Sequence, residues 1–149
     1  MSSSPSDSRR ALMGLLAKAP PARLAARLAD LGPEPASTWL RPPQTGTVML
    51  RGRIGGQGAP FNLGEMTVTR CVLQLEDGRV GHGHVQGRDK AHARRAALVD
   101  ALWQAEPVRI EATVLAPLRE EADARHRARA ARAAATRVDF FTLVRGEDA

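Results

Sequence analysis

The fold of this chain is decided by one stretch, Leu73-Gln-Leu-Glu-Asp-Gly-Arg-Val-Gly-His-Gly-His-Val-Gln-Gly-Arg-Asp-Lys-Ala-His-Ala-Arg-Arg-Ala-Ala-Leu-Val-Asp-Ala-Leu102. Its Asp77-Gly78 pair predicts a hairpin turn, because glycine tolerates the positive φ that such a turn needs. The chain should then return as a paired strand over Arg79 to Gln86. Gly81 and Gly83 alternate with larger residues in that strand, so another backbone is expected to approach it closely.

The end of this stretch predicts a helix that begins beside charged and donor side chains. Asp89 is the expected N-cap, and the alanines and leucines that follow give the helix a broad apolar side. The free N–H groups and positive end of a helix start suit a phosphate. A salt-bridged helix start at the surface explains the same residue types equally well. The residues of this candidate anion-binding or interface corner are Gly87, Arg88, Asp89, Lys90 and His92.

The whole pattern predicts an α+β fold, a twisted antiparallel β-sheet of about five strands packed with about four helices. Two short helices meet at Pro20-Pro21, and their leucine stripes should cover the sheet of this chain or bind a partner chain. Residues 1–7 are expected to be a disordered N-terminus, 8–146 a single domain and 147–149 an acidic tail. The other predicted elements are strands over Thr45 to Ile54, Glu65 to Leu75, Val108 to Val114 and Arg137 to Arg145, a helix over Glu120 to Thr136, and an irregular segment over Pro33 to Gln44.

Composition narrows the class of protein. Lysine and arginine number 22 against 16 acidic residues, a net charge of +6. A basic surface favours phosphate-bearing partners, although an arginine- and alanine-rich composition can equally reflect the genome. The single cysteine, Cys71, excludes an internal disulfide. No apolar run reaches the ~18 residues that span a bilayer, and the serine-rich start lacks a signal-peptide pattern. We therefore expect a cytoplasmic protein that binds no membrane.

Three further motifs have a functional and a plain interpretation. His82 and His84 lie on one strand face, and with His92 they suggest a metal site. Carboxylates are scarce nearby, so structural or surface histidines are favoured and no metal is expected. The glycine-rich segment 55–58 suits a phosphate, but no Lys-Ser/Thr pair follows it, which favours a hairpin loop. The arginine-rich segment 125–137 suits nucleic acid, but it lacks aromatic residues, which favours a solvated face or a protein interface.

No Ser-His-Asp, Cys-His or paired-carboxylate arrangement follows from spacing, so no catalytic residue is predicted. A set of segments is nevertheless specific: Gln44 to Met49, Gly58 to Glu65, Thr67 to Cys71, Asp77-Gly78, Val85 to Lys90 with His92-Ala93, Asp100 to Leu102, Ala116 to Leu118, and Arg137 to Gly146. With these segments, in this order, the chain resembles the PhnG family of the bacterial carbon–phosphorus lyase system. The resemblance spans about residues 8–148, and 119–136 match poorly in detail.

The resemblance implies a role in organic phosphonate catabolism. Members of the family form a core complex with PhnH, PhnI and PhnJ, and PhnL and PhnK are further expected partners. With PhnH, PhnI and PhnL they support the ATP-dependent transfer of a phosphonate to C1 of the ribose, and adenine is released. PhnJ later breaks the carbon–phosphorus bond with S-adenosylmethionine and an iron–sulfur cluster.

For this chain the resemblance implies an accessory subunit that binds no cofactor and has no catalytic residue of its own, while ATP is a substrate of the complex. The alternative is a subunit that binds phosphate or phosphonate directly through the helix start at Arg88 to Lys90. A stand-alone nucleic-acid binder is the competing hypothesis from a different class, and the resemblance argues against it.

Overall fold

The computed structural model describes residues 5–137, and in that range three strands form one antiparallel sheet in the order β1-β2-β3. The strands are β1 (Ser37–Arg53), β2 (Pro60–Leu75) and β3 (Val80–Gln86). The helices are α1 (Pro5–Lys18), α2 (Pro21–Ala29), α3 (Lys90–Trp103), α4 (Pro107–Ile110) and α5 (Ala116–Ala135). A 3-10 turn (Ile54–Gly56) follows β1, and a π-helical turn (Glu111–Leu115) joins α4 to α5. The α+β class is therefore confirmed.

The number of strands differs from the prediction of about five. Residues 108–114, predicted as a strand, are helical, so that prediction is wrong. Their apolar residues alternate, but the buried ones are Ile110 and Val114, which lie four residues apart on a helical stripe that Leu118 continues, while Val108 is 81% exposed. A short alternating run that also fits the helical period does not decide between the two structures. The predicted last strand, 137–145, lies outside the described residues except for Arg137.

Four helices result when α4, the π turn and α5 are counted as one. The backbone at both junctions, Ile110 to Glu111 and Leu115 to Ala116, keeps right-handed helical dihedral angles. Pro117 lies in the first turn of α5. A proline has no N–H to donate to the carbonyl four residues earlier, and the π turn directly before it absorbs that interruption.

Further boundaries differ from the prediction, and β2, for example, begins at Pro60 instead of Glu65. Helix α1 begins at Pro5, so residues 5–7, predicted to be disordered, are helical. Strand β1 begins at Ser37, so residues 37–44, predicted to be irregular, are paired with β2. Pro42 and Pro43 lie in this edge strand, where the pairing register shifts between Arg41 and Gln44. Edge strands tolerate proline because one side of their backbone needs no partner strand.

Helix α3 lies against the sheet face that carries Gly81 and Gly83. A Cβ atom at Gly81 would lie 2.0 Å from the carbonyl oxygen of Ala97, and one at Gly83 would lie 2.1 Å from that of Ala93. The close backbone approach predicted for β3 is therefore confirmed, and the approaching backbone is that of α3. The Asp77-Gly78 turn is also confirmed, since Gly78 has φ 88° between β2 and β3.

The first two helices complete the core. Leu12 and Leu16 of α1 and Leu24 and Leu28 of α2 are buried in the same cluster as the alanines and leucines of α3. Their stripes therefore cover this chain's own core, the first of the two predicted roles. Within residues 5–137, no helix combines the length and apolar character that a membrane-crossing segment requires.

Candidate functional site

The predicted corner lies where β3 passes into α3. Gly87 has φ 90°, a conformation that suits glycine, and the carboxylate of Asp89 accepts a hydrogen bond from the backbone N–H of His92 at 2.8 Å. Asp89 is therefore the N-cap of α3, as predicted. Its carboxylate occupies one of the N–H groups that an external anion would use. Arg88 and Lys90 are exposed on either side of it.

His92 does not share the surface of this corner. Its side chain is buried, and its Nε2 lies 3.0 Å from the carbonyl oxygen of Leu16. Because a carbonyl oxygen can only accept a hydrogen bond, Nε2 carries the proton and donates a hydrogen bond to the Leu16 carbonyl at the end of α1. Burial lowers the pKa of His92, since the charged imidazolium would lose its hydration. His92 therefore ties α3 to the end of α1 as a neutral donor.

The three histidines of the suggested metal site are not brought together. Gly81 and Gly83 face α3, so His82 and His84, which alternate with them, project from the opposite face of the sheet and are exposed. His92 is buried on α3. In the described part of the chain, no group of three or more His, Cys, Asp or Glu side chains could hold a metal ion. Cys71 is buried on the α3 side of β2.

A buried carboxylate that the sequence did not single out connects three elements. Asp100 on α3 is fully buried and accepts two hydrogen bonds from Arg9, from Nε at 2.9 Å and from Nη2 at 2.7 Å. It also accepts the backbone N–H of His82 at 2.8 Å. One feature of the sequence could have indicated this contact. Asp100 is the single charged residue in the apolar run 96–102, where a buried charge without a partner would be costly.

The outer edge of β3 is held by side chains of α3. Besides the contact of Asp100 with the His82 N–H, the Gln104 amide donates to the carbonyl oxygen of Val80 at 2.8 Å. Asp100 and Gln104 are one helical turn apart, and Gln104 also donates to the Asp100 carbonyl at 3.1 Å. The helix thereby pairs backbone groups that a further strand would otherwise use.

A two-stranded arm extends the sheet. Strand β3 pairs only with residues 68–74 of β2, whereas β1 and β2 remain paired out to Arg53 and Pro60. We name residues 47–67 the arm. An isolated pair of strands is at best marginally stable in water, so an arm of this kind gains from contact with another surface.

The arm exposes large apolar side chains along its length. Ile54 is 75% exposed and Leu63 65%, and the other exposed apolar residues of the arm are Met49, Leu50 and Phe61. Arg51, Arg53 and Glu65 accompany them, which leaves the arm with a net positive charge. Contiguous exposed apolar residues rimmed by charge are typical of protein–protein interfaces.

Comparison with known proteins relates this chain to a protein family and to a curated protein. A family model described as "Phosphonate metabolism protein PhnG" matches residues 7–146. A curated protein of Rhizobium meliloti (strain 1021), the alpha-D-ribose 1-methylphosphonate 5-triphosphate synthase subunit PhnG, is 48% identical over 141 residues. That alignment covers 94% of this chain and 90% of the relative.

Proposed function

The chain belongs to the PhnG family of phosphonate metabolism proteins, and from this premise we propose that it is a non-catalytic or accessory core subunit of a carbon–phosphorus lyase complex. In this role it supports the synthase step that the name of its relative describes, the formation of a ribose 1-phosphonate 5-triphosphate. The substrates are ATP and a phosphonate. The phosphonate replaces adenine at C1 of the ribose.

The arm is the observation that carries the proposal. It presents exposed Ile54, Leu63 and Phe61 on a two-stranded extension that only its own partner strand supports within the described residues. Burying such side chains against another subunit is favourable by about 25 cal/mol per Å² of apolar surface. The net positive charge suits a partner surface with an acidic rim.

The proposed partners follow the family. PhnH, PhnI and PhnJ form the core with this chain, and PhnL and PhnK join it. On this proposal the chain binds no cofactor itself, and the S-adenosylmethionine and iron–sulfur chemistry belongs to PhnJ. The chain then contributes by positioning its neighbours for the transfer.

Co-purification tests the proposal. The tagged full-length chain is co-expressed with PhnH, PhnI and PhnJ of the same organism, and the expected result is one complex that elutes together in size-exclusion chromatography. Release of adenine from ATP in the presence of a phosphonate, with PhnL added, is expected to require this chain. Elution of the tagged chain alone, or full adenine release without it, would contradict the accessory role.

A second candidate function is direct binding of phosphate or phosphonate at the helix start. Arg88 and Lys90 are exposed, and neither has an ion pair among the described residues. They lie beside the turn at Gly87 and the start of α3, where the helix dipole adds positive potential. Asp89 opposes this function, since its carboxylate already caps the helix.

The double substitution R88A/K90A separates the two candidates. Lower adenine release by a complex that still assembles would support binding at the helix start. Loss of assembly would indicate that the corner is an interface instead. Unchanged assembly and activity would exclude both roles for Arg88 and Lys90.

A further inference from the structure

The outer edge of β1 is open at the base of the arm. Strand β1 lies at the edge of the sheet in the order β1-β2-β3, and among residues 5–137 no further strand pairs with its outer side. Its pairing with β2 is regular from Gln44 to Leu50, because one register shift lies before Gln44 and the next lies after Leu50. This part of β1 is therefore an uninterrupted extended strand with one free side.

A hydrogen bond on the other side of β2 shows which backbone groups point to the free side. The N–H of Gly87 donates to the carbonyl oxygen of Thr67 at 2.9 Å, so the backbone groups of Thr67 point towards the β3 side. Thr67 is paired with Thr47 of β1. In an antiparallel pair, residues directly opposite each other either exchange two hydrogen bonds or exchange none. Thr47 therefore belongs to a pair that exchanges none, and it points its own N–H and C=O away from β2.

The same alternation gives a row of outward groups. Thr45 and Met49 lie two positions before and after Thr47 in the regular part of the pairing, so their N–H and C=O groups also point outward. Val48, between them, directs its backbone groups to Met66 of β2. The side chains of Thr45, Thr47 and Met49 are exposed. We name these three residues the open edge, because their donors and acceptors have the spacing that a further strand requires.

The two borders of the sheet differ in this respect. At the outer edge of β3, the outward N–H of His82 is bound by Asp100 at 2.8 Å, and the outward carbonyl of Val80 accepts from Gln104 at 2.8 Å. Side chains of α3 thus occupy the groups that correspond to those of the open edge. The chain closes one border with a helix and leaves the other accessible, which favours a binding role for the open edge.

The side chains around the open edge indicate what it binds. Met49 is 54% exposed and Leu50 37%, and successive residues of a strand point to opposite faces, so an added strand can bury apolar side chains on both faces. Beyond Leu50 lies a depression of about 530 Å³ that contains two guanidinium groups and no carboxylate, lined by Arg51, Gly52, Arg53, Gly56 and Pro60. A second copy of this chain would add positive charge beside positive charge, whereas an acidic residue would complement it.

We propose that the open edge accepts an extended strand of a partner subunit, which then becomes the fourth strand of the sheet. The inference rests on the accessory role proposed above and adds the binding mode and the chemistry of the partner. The added segment carries apolar residues on both faces and an aspartate or glutamate that reaches Arg51 and Arg53. In this mode the main-chain hydrogen bonds supply affinity, and the side chains on either face supply specificity.

The substitution T47P tests the main-chain contact. It removes the outward N–H, which no bond to β2 uses, and edge strands accept proline at such positions. T47A is the matched control, because it shortens the same side chain and keeps the N–H. In co-purification with PhnH, PhnI and PhnJ, T47P is expected to weaken association by more than about tenfold and T47A by less than about twofold. Equal association of T47P and T47A would overturn strand addition alone, whereas failure of the original chain to assemble would overturn the accessory role as well.

Hydrogen exchange at single-residue resolution gives a second test that needs no substitution, and it decides the matter if circular dichroism shows T47P to be unfolded. The N–H groups of Thr47 and Met49 should exchange at least about tenfold more slowly in the complex than in the isolated chain. Val48, bonded to β2, is the internal reference and should exchange slowly in both. Unchanged exchange at Thr47 on assembly would overturn the proposal. Slow exchange at Thr47 in the isolated chain would do so too, since this chain or a second copy would then occupy the edge.

Charge reversal tests the acidic residue of the added strand. R51E is expected to weaken association by more than about tenfold, because it places like charges together at the end of the open edge. R129E makes the same change on the exposed surface of α5 and should stay within about twofold of the original chain. Equal association of R51E and R129E would contradict a carboxylate at this position.

Discussion

Arg9 and Asp100, which are 91 positions apart in the sequence, form a two-point ion pair with the Asp100 carboxylate fully buried and the Arg9 side chain 39% exposed. The same carboxylate accepts the backbone N–H of His82. One side chain therefore joins α1, α3 and the outer edge of β3. A buried charge is tolerated because every one of these contacts is a hydrogen bond to it.

We expect D100N to lower the free energy of unfolding by about 2 kcal/mol. The NH₂ group of an asparagine side chain would face Arg9 or the His82 N–H, which are themselves hydrogen-bond donors, so a bond that the carboxylate accepts would be lost. In R9M/D100N the loss should be smaller than the sum of the single losses, with a coupling of about 1 kcal/mol. Urea denaturation measures the unfolding free energies of R9M, D100N and R9M/D100N. R10M, at the exposed neighbouring arginine, is the control and should show no coupling; additive losses in R9M/D100N would contradict a direct pair.

Gly83 should be intolerant of any side chain. A Cβ there meets the Ala93 carbonyl oxygen at 2.1 Å and the Cys71 sulfur at 2.9 Å, so β3 and α3 would have to separate. G83A is expected to lower the free energy of unfolding by at least about 3 kcal/mol. G46A is the matched control, because nothing lies within 4 Å of a Cβ at Gly46, and it should stay within about 0.5 kcal/mol of the original chain.

His92 should make stability depend on pH. Burial lowers the pKa of His92 from its usual 6.5, so as the pH falls the unfolded chain takes up a proton before the folded chain does. Stability rises with pH wherever the unfolded state binds more protons. The contribution of neutral His92 is therefore complete above pH 6.5 and is lost progressively as the pH falls from 6.5 towards the lowered pKa.

The substitution H92Q removes this titrating group. We expect it to reduce the difference in unfolding free energy between about pH 7.5 and about pH 5.5. It should also lower stability at the higher pH, because glutamine cannot reproduce the geometry of the hydrogen bond from the imidazole to the Leu16 carbonyl. An H92Q chain with the original pH difference would show that another group is responsible.

The arm should matter for assembly and not for folding. I54S/L63S replaces its two most exposed apolar side chains, so the free energy of unfolding is expected to change by less than about 0.5 kcal/mol. Association with the proposed partner subunits should weaken by more than about tenfold, as measured by co-purification yield and by titration. V108S changes an apolar residue that is 81% exposed outside the arm and should associate normally. Equal association of I54S/L63S and V108S would exclude the arm as the docking surface.

Features set by local chemistry were predictable from sequence. The Asp77-Gly78 turn, the Asp89 cap and the close approach at Gly81 and Gly83 each depend on what one residue type allows its own backbone to do. The position of the α3 corner followed from them. The sequence also predicted one strand of the arm, over Thr45 to Ile54, but it predicted neither the strand residues 60–64 nor that the arm would extend beyond β3.

Features set by distant contacts were not predictable. Residues 108–114 fit both periods, and only packing of Ile110 and Val114 against the core decides for a helix. His92 was grouped with Arg88 and Lys90 by proximity in sequence, whereas the helix turns its side chain inward to Leu16. Asp100 was not singled out because its partner Arg9 lies at the other end of the chain.

The hydrogen bonds from Asp100 and Gln104 to β3 also limit how the sheet can grow. With the His82 N–H and the Val80 carbonyl already engaged, a foreign strand must break two bonds before it can add at that position. At the opposite edge, Pro42 and Pro43 offer no N–H for a foreign strand. Both edges of the small sheet are thus protected against edge-to-edge aggregation into fibrils. Side chains of α3 protect the β3 edge and two prolines protect part of the β1 edge, while the arm remains open.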